Sequence, residues 1–441
     1  MNCILLSNLR RCMCDQNITK GESRMQIKCI LNRVQKFQSF VYKRVRMTEE
    51  DGSLVLLVDI VPRENSWLIC SKCGKPCRGY DTLDHRRFEF VPMWGIQVFF
   101  IYLMRRCDCP DCGVVVEEVP WAEGKQQLTK TYAWFLAGWA KIMSWKEVAR
   151  AFKTTWDHVF QAVEMAVRWG LDHRDLESVT AIGVDEVQWH HGQNYLTVVY
   201  QINHECKRLL WVGRERTEDT LNEFFTSFGE KRSSALKFIC SDMWQPYLNV
   251  IAEKAAGALH VLDRFHIDTK MNKALDEVRA AEAKDLKAKG YEPVLKKTRW
   301  CLLKRPKNLT EKQGTKLADL LRYNLKSVRA YLLKEDFVLF WDSIDPADAK
   351  ECLTDWCGKV MRSRIDPMKK IARMLRTHEC RILNWFSARG VVSLGAVEGL
   401  NNKEKLVTRK SYGFRTFKAM EIALYHTLGA LPELETTHRF C

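Results

Sequence analysis

The stretch Ala181-Ile-Gly-Val-Asp185-Glu-Val187 decides the fold of this chain, because a short apolar run leads to an acid and then turns polar. Such a pattern is typical of a buried strand that carries one carboxylate to the edge of a sheet. The pattern recurs in Leu236-Lys-Phe-Ile-Cys-Ser-Asp242, and a third acid, Glu398, lies far downstream. Carboxylates from separate segments can hold two Mg²⁺ or Mn²⁺ ions about 3.5–4 Å apart, an arrangement that drives in-line phosphoryl transfer. Asp185, Asp242 and Glu398 are therefore candidate catalytic metal ligands, and the competing interpretation is that each is a cap or turn residue.

The residues on either side of this stretch predict an α/β sheet domain. Strands at 181–187, 195–202 and 208–212 precede a helix at 220–228, the strand ending at Asp242, a helix at 247–256 and a strand at 259–262. This is the element order of an RNase-H-like fold, in which the first and fourth strands are neighbours. Asp263 and His266 follow the last strand and are candidates for orienting a ligand carboxylate. A helix cap and an ordinary polar pair are the alternative.

Composition points to a nucleic-acid partner. The chain has 441 residues, with 70 Lys and Arg against 54 Asp and Glu, a net charge of +16. This length suits two or three domains, and the positive excess favours a polyanionic partner over a merely solvated basic surface. The sequence has neither an apolar run of roughly 18 residues nor a secretory signal, so we expect a cytoplasmic protein without a membrane partner. The 17 cysteines are an odd number, typical of reduced thiols rather than a disulfide framework.

Two cysteine pairs predict a structural zinc site. Cys70 and Cys73 stand in one Cys-x-x-Cys-Gly sequence, and Cys109 and Cys112 stand in another. Four thiolates suit one tetrahedral Zn²⁺, and each glycine permits the tight turn around the metal. The 35 residues between the pairs contain strand-like runs, which predicts a zinc ribbon with a long hairpin. The extra thiols Cys77 and Cys107 compete as ligands, and free cysteines are the alternative.

Residues 129–169 predict three helices. Thr129 can cap the first, and Ser144-Trp-Lys-Glu147 is a capping box for the second. A short helix, a break at 153–155 and a longer amphipathic helix predict a helix-turn-helix whose second helix enters a DNA groove. A plain helical hairpin is the alternative. The candidate DNA contacts of this segment are Lys146, Arg150, Lys153 and Thr155.

Two further basic segments are candidate phosphate-binding surfaces. Between residues 270 and 334 there are 18 Lys and Arg against 7 Asp and Glu, densest around Arg299, Lys304 and Arg305. Such a surface suits phosphate contacts, although a solvated helix face remains the competing interpretation. A second basic strip follows Glu398, and its candidate contacts are Asn402, Lys403, Lys405, Arg409 and Lys410.

These patterns divide the chain into six predicted segments, an α+β multidomain arrangement. They are a loosely ordered basic extension (1–46), a zinc-binding ribbon (47–125), a helix-turn-helix domain (126–175), the first part of the catalytic core (176–268), a helical basic insertion (269–390) and the last part of the core (391–441).

Several short motifs together resemble the DDE transposases of the ISL-three family of bacterial insertion sequences. They are Val119-Pro-Trp-Ala-Glu-Gly124, Ile182-Gly-Val-Asp-Glu186, Asp263-Arg-Phe-His266, Glu398-Gly-Leu-Asn-Asn-Lys403 and Tyr412-Gly-Phe-Arg415. The resemblance covers roughly residues 50–430. It implies an RNase-H-like core with a helical insertion before the last acid, and an N-terminal region that recognises terminal inverted repeats. By motif match, Asp185, Asp242 and Glu398 take the three catalytic positions.

The function predicted from these observations is binding of element ends followed by metal-dependent strand cleavage and strand transfer. We expect double-stranded DNA, as element ends and as target, to be the partner, with the protein acting as a homo-oligomer on it. Two alternatives remain open. One is a DNA-binding regulator with an unused catalytic core, and the other is an RNase-H-like nuclease that cuts without joining.

Overall fold

The computed structural model describes residues 27–190, 194–291, 293–391, 395–411 and 413–434. Residues 1–26 of the predicted extension and Tyr412 of the last motif lie outside the described residues. The described chain forms two compact units, one ending at Ala162 and the other covering Val163–Leu434.

The first unit is built on a six-stranded sheet. Its strands lie in the order β1-β2-β5-β4-β3, with β6 paired to β5, and only the β2–β5 pairing is parallel. The elements are α1 (Ile27–Val34), β1 (Phe40–Glu50), β2 (Ser53–Pro62), β3 (Leu68–Ile69), β4 (Pro76–Met93), β5 (Ile96–Cys109) and β6 (Gly113–Val116). The predicted long hairpin between the two cysteine pairs is confirmed as β4 and β5.

This unit begins before the predicted boundary at residue 47. Phe37 and Phe40 lie in its core, with ring centroids 5.2 and 4.9 Å from that of Trp121. The prediction of an extension is therefore wrong for residues 27–46, which form α1 and most of β1. Phe40 and Tyr42 are the only buried residues of β1, and the exposed Lys43 and Arg44 that follow them interrupt the strand pattern in the sequence.

Three helices follow the sheet, as predicted: α2 (Lys130–Ile142), α3 (Trp145–Ala151) and α4 (Trp156–His173). Thr129 accepts a hydrogen bond from the Tyr132 amide (3.3 Å), and Ser144 and Glu147 form the expected capping box. Between α3 and α4 the backbone of Lys153 is left-handed, with φ of +51°. The chain thus turns sharply between a short helix and a long one.

The second unit contains a five-stranded mixed sheet in the order β11-β10-β7-β8-β9. Strands β7, β8 and β9 form an antiparallel meander, and β10 is parallel to both β7 and β11. The predicted adjacency of the first and fourth strands is confirmed. The elements are β7 (Ala181–His190), β8 (Asn194–Ile202), β9 (Lys207–Arg214), α5 (Glu218–Phe228), α6 (Glu230–Ser234), β10 (Phe238–Ser241), α7 (Gln245–Lys254) and β11 (Leu259–Leu262).

The remaining described elements are helical. Trp341 and Trp356 are buried in the core of this region, whereas Trp385 is only partly buried. The helices are α8 (Arg264–Ala288), α9 (Arg299–Leu303), α10 (Glu311–Leu320), α11 (Lys326–Val338), α12 (Pro346–Arg362), α13 (Asp366–Thr377), α14 (Glu379–Ala388), α15 (Ala396–Lys410) and α16 (Phe417–Leu428). None of the helices in the described ranges is long and apolar enough to cross a membrane.

The helical region begins earlier than the predicted boundary at residue 269. Asp263 accepts a hydrogen bond from the Phe265 amide (2.8 Å) and is the N-cap of α8, so the helix starts at Arg264. The helix-cap interpretation of Asp263 is therefore confirmed, and the predicted boundary falls inside α8.

Candidate metal sites and nucleic-acid contacts

Strand register places two of the predicted acids side by side. The parallel pairing of β7 and β10 brings Gly183 opposite Cys240, and Asp185 and Asp242 each lie two residues further on. The backbone amide of Asp263 donates to the Ser241 carbonyl (2.9 Å), so the residue after β11 continues the same row. Asp185 within β7, Asp242 after β10 and Asp263 after β11 thus lie in one row at one edge of the parallel part of the sheet.

Asp185 does not end its strand, which corrects the prediction. Strand β7 continues to His190 because its hairpin with β8 extends past the end of β10, pairing Glu186 with Thr197 and Val187 with Leu196. Of the two strands that pair with β7, only the parallel strand β10 ends near Asp185. The edge of the sheet at which the acids lie is therefore formed by the carboxyl ends of β10 and β11.

Asp185 is held by hydrogen-bond donors from two elements. Its Oδ2 accepts from the side-chain amide of Asn401 (2.5 Å), and its Oδ1 accepts from the Glu186 backbone amide (2.8 Å). Asn401 in turn accepts from the Tyr200 hydroxyl (2.8 Å). The sequence analysis named Asn401 only within a motif, although its position three residues after Glu398 places both on one helix face.

A glycine lets the helix of the third acid approach the sheet. A Cβ atom on Gly183 would lie 2.4 Å from the Val397 Cγ2 atom, so any larger residue there would push α15 away from β7. This close approach brings the first turn of α15, with Glu398, to the row of acids. Glu398 lines a cavity of about 250 Å³ together with Asp263, Arg264 and other residues of α8 and α14.

Asp242 faces a different partner. Its Oδ2 accepts from Arg216 Nη2 (3.1 Å), and the same guanidinium forms a close ion pair with Glu186. Its Oδ1 accepts from the Trp244 backbone amide (2.9 Å). Arg216 was missed in the sequence analysis, since a single arginine between a strand and a helix gives no recognisable pattern.

Burial and mutual repulsion perturb the acids around this row. Burial, with Asp242 nearby, raises the pKa of Glu186 to about 7, and burial also raises the pKa of Asp263. Burial alone would lower the pKa of His266, but the neighbouring carboxylates, Asp185 first, raise it above its usual value. His266 Nε2 lies 3.6 Å from Asp185 Oδ1 and 3.8 Å from Asp263 Oδ2. The predicted pair thus lies beside Asp185, where it can orient that carboxylate.

The acids fit a divalent cation by chemistry and location, but their side chains are not gathered around one point. Within the described ranges, the only group of three or more ligand atoms mutually within 4.8 Å is formed by four cysteines. Carboxylate oxygens are the ligands that Mg²⁺ and Mn²⁺ prefer. Asp185 and Asp242 lie level on neighbouring strand segments, the Gly183 contact places the helix of Glu398 against β7, and Glu398 lines one cavity with Asp263. The donor set therefore fits these ions once Asp242 leaves Arg216.

The four predicted cysteines lie together in the first unit. Cys70 and Cys73 connect β3 to β4, Cys109 and Cys112 lie at the turn from β5 to β6, and all four Sγ atoms lie within 4.8 Å of one another. Gly74 and Gly113 adopt φ of +70° and +71° in these turns, a conformation that favours glycine.

The four thiols of this cluster differ in acidity, because backbone hydrogen bonds lower the pKa of Cys70 and of Cys109, whereas burial raises the pKa of Cys112 to about 12. Backbone amides of Asp111 and Cys112 hold the pKa of Cys109 down at about 6, so its thiolate is accessible near neutral pH. Burial raises the pKa of Cys77 to about 12, and its thiol donates to the Lys75 carbonyl (3.2 Å). Cys107 is buried as well, and neither belongs to the group of four. The arrangement fits Zn²⁺ bound by the predicted set.

The predicted DNA contacts of the three-helix segment are all on the surface. Lys146 and Arg150 are exposed on α3, and Lys153 and Thr155 are exposed in the turn before α4. The carbonyl of Lys153 accepts from the Gln97 side chain (3.0 Å), which ties this turn to β5. The side chains therefore stand on a supported turn, accessible to a ligand.

The predicted contacts around α9 already have protein partners. Arg299 pairs with Asp276 (2.9 Å), Arg305 Nη2 lies 3.8 Å from Asp268, and Lys304 donates to Gln313 (3.3 Å). Arg305 also lines the cavity that contains Glu398. The predicted residues of α15 share an exposed face, comprising Asn402, Lys403, Lys405, Arg409 and Lys410.

Comparisons with known proteins agree with one another. Residues 182–424, more than half of the 441-residue chain, match the ISL3 family model of the DDE type, described as "Transposase". A transposase for insertion sequence element IS1001 of Bordetella parapertussis is 26% identical over 382 residues, covering 86% of this chain and 93% of that protein. A transposase for insertion sequence element IS1557 of Mycobacterium tuberculosis is 28% identical over 415 residues, covering 88% of this chain and 92% of that protein.

Proposed function

The chain belongs to the ISL3 family of DDE transposases, and from this premise we propose that it binds insertion-sequence ends and catalyses metal-dependent DNA strand cleavage and strand transfer. The observation that carries the proposal is the convergence of Asp185, Asp242 and the helix of Glu398 at one sheet edge. The strand order, with an antiparallel meander beside two parallel strands, supports an RNase-H-like catalytic core.

We assign the three acids as ligands of two divalent ions. Such ions, when bound, activate the attacking oxygen and stabilise the leaving oxygen of an in-line displacement at phosphorus. The protein contributes position and charge. Asn401 and the Glu186 amide fix the orientation of Asp185, and His266 lies on its other side. Outer partners of this kind commonly change metal affinity or activity by about 10–100-fold.

The first unit is assigned to recognition of the DNA ends. One Zn²⁺ held by Cys70, Cys73, Cys109 and Cys112 would brace the hairpins of its sheet. The exposed residues of α3 and of the turn before α4 support a helix-turn-helix contact with DNA. The exposed basic face of α15 adds phosphate contacts next to the acids. We further propose that the protein acts as a homo-oligomer, because two element ends must be processed together.

A cleavage assay on a labelled duplex that carries one element end tests the proposal. Wild-type protein with Mg²⁺ or Mn²⁺ should cut one strand at the element boundary and then join the new 3′ end to a second duplex. Asp185→Asn should bind the duplex and leave it intact. Binding without cleavage by the wild type would favour the regulator, and cleavage without joining would favour the nuclease.

A further inference from the structure

Arg216 lies between two carboxylates at the proposed catalytic edge. Its guanidinium makes an ion pair with Glu186 and donates to Asp242 Oδ2 (3.1 Å). The side chains are largely shielded from solvent, with exposed fractions of 26% for Arg216 and 12% for Asp242. The positively charged Arg216 thus already pairs with Asp242, one of the three acids that we assign as metal ligands.

The backbone fixes the point from which Arg216 projects. The preceding residue, Glu215, has a left-handed φ of +76°, a conformation that is strained for a residue other than glycine. Its amide donates to the Tyr195 carbonyl (2.9 Å), and its carbonyl accepts from the Thr197 hydroxyl (2.8 Å). These hydrogen bonds anchor Glu215 to β8, so the backbone position of Arg216 is fixed.

An aromatic ring fixes the other end of the side chain. The Arg216 guanidinium carbon lies 4.3 Å from the ring centroid of Trp244, a cation–π distance. The Trp244 backbone amide donates to Asp242 Oδ1 (2.9 Å), so Asp242 has a donor on each oxygen. A divalent ion that binds Asp242 Oδ2 must therefore approach next to the positive guanidinium or replace it.

We propose that Arg216 is a positioning residue that competes with the divalent cation for Asp242 and so sets the cation concentration at which the site is loaded. The proposal rests on the assignment of Asp242 as a metal ligand under the proposed function. On exchange, Asp242 moves from the guanidinium to the cation, and Arg216 remains held by Glu186 and Trp244.

Manganese binding to the full chain without DNA tests the proposal by calorimetry. Arg216→Gln removes the competing charge and should tighten Mn²⁺ binding about tenfold, equivalent to about 1.4 kcal/mol. Arg214→Gln is the matched control, because Arg214 is exposed at the end of β9, two residues before Arg216, and its loss should leave the affinity unchanged. In the double variant Arg216→Gln/Asp242→Asn the gain should disappear, as expected for two coupled residues.

Unchanged or weaker Mn²⁺ binding by folded Arg216→Gln would overturn the proposal. If that variant fails to fold, Trp244→Leu provides a second route, since it frees the guanidinium while retaining its charge and should tighten binding by a smaller factor. Equal affinity of the wild type and Trp244→Leu would then be the contradicting result. The proposed function fails separately, when wild-type protein cuts no end DNA whatever its Mn²⁺ affinity.

Discussion

The four cysteines of the first unit and the three acids of the second are both candidate metal sites, but they are assembled in different ways. The cysteine sulfurs lie within 4.8 Å of one another and come from two tight turns. The acids come from two strand segments and a distant helix. Arg216 donates a hydrogen bond to Asp242, and Asn401 donates one to Asp185. The comparison teaches that a metal at the cysteine site would balance the charge of bound thiolates, whereas the acid site carries its own hydrogen-bond partners. We therefore expect the first unit to depend on metal for stability and the second to depend on it for activity.

The largest expected effect tests the acid side of this comparison. Glu398→Gln keeps the side-chain shape but removes a charge, and loss of one member of a group that acts as a unit costs nearly as much as loss of all. Strand cleavage should fall about 10³-fold or more, with the thermal midpoint nearly unchanged. The matched control is Glu404→Gln on the same helix. The Glu404 carboxylate is buried and accepts a hydrogen bond from the Thr408 hydroxyl (2.8 Å). Comparable cleavage by the Glu398 variant and the wild type would remove Glu398 from the site.

The second prediction tests the cysteine side. Cys73→Ser should release zinc and destabilise the first unit by several kcal/mol, because metal binding contributes directly to folding in small zinc domains. Thermal unfolding and elemental analysis for zinc would measure both effects. Cys77→Ser is the control for a neighbouring thiol outside the group of four, and it should retain one zinc per chain. Zinc loss in the Cys77 variant with retention in the Cys73 variant would reverse the ligand assignment.

The third prediction concerns the stability of the protein at acidic pH, the cause of which should differ between the two units. His260 is buried in β11 against the Ser241 hydroxyl (2.8 Å), and burial lowers its pKa from 6.5 to about 4. The folded state therefore binds this proton less readily than the unfolded chain, so stability is complete above pH 6.5 and is lost as the pH falls towards 4. By linkage the loss is about 2 kcal/mol at pH 5.

Denaturant unfolding of the second unit at pH 7.5 and pH 5 would measure this effect. His260→Gln should show a smaller pH dependence than the wild type by about that amount. Chelation of zinc should leave this difference intact, because His260 lies outside the unit that contains the cysteines. An equal pH dependence in the two proteins would contradict the assigned role of His260.

The smallest expected effect concerns DNA contacts near the acids. Lys403 is exposed on α15, and Lys403→Gln should make the plot of log affinity for end DNA against log salt shallower by about one unit. Lys231→Gln is the control, since Lys231 is exposed on α6 and pairs with Glu177 (3.6 Å). Identical salt dependence in Lys403→Gln and the wild type would exclude this face of α15 from phosphate contact.

The same comparison explains what the sequence could predict. Each cysteine pair lies within one turn, so spacing alone revealed the cluster of four. Strand adjacency also followed from element order, which correctly made Asp185 and Asp242 neighbours. The glycine contact that brings α15 to β7 depends on packing between segments far apart in the chain, and the pairing of Arg216 with Asp242 depends on a strained connection after β9. Neither of these two contacts leaves a periodic pattern in the sequence. The aromatic core residues within 27–46 were hidden by exposed polar side chains in β1.

The contact between Asn401 and Asp185 joins residues 216 positions apart in the chain. Chains fold from the N-terminus during synthesis, so the sheet that carries the four cysteines and the three helices after it are complete well before α15 is made. Under the proposed function, a prematurely terminated copy of the gene would yield a protein that still occupies the element ends but cannot cut them. Such truncated products would compete with the intact enzyme, so damaged copies of an element would restrain the spread of active ones in the same cell.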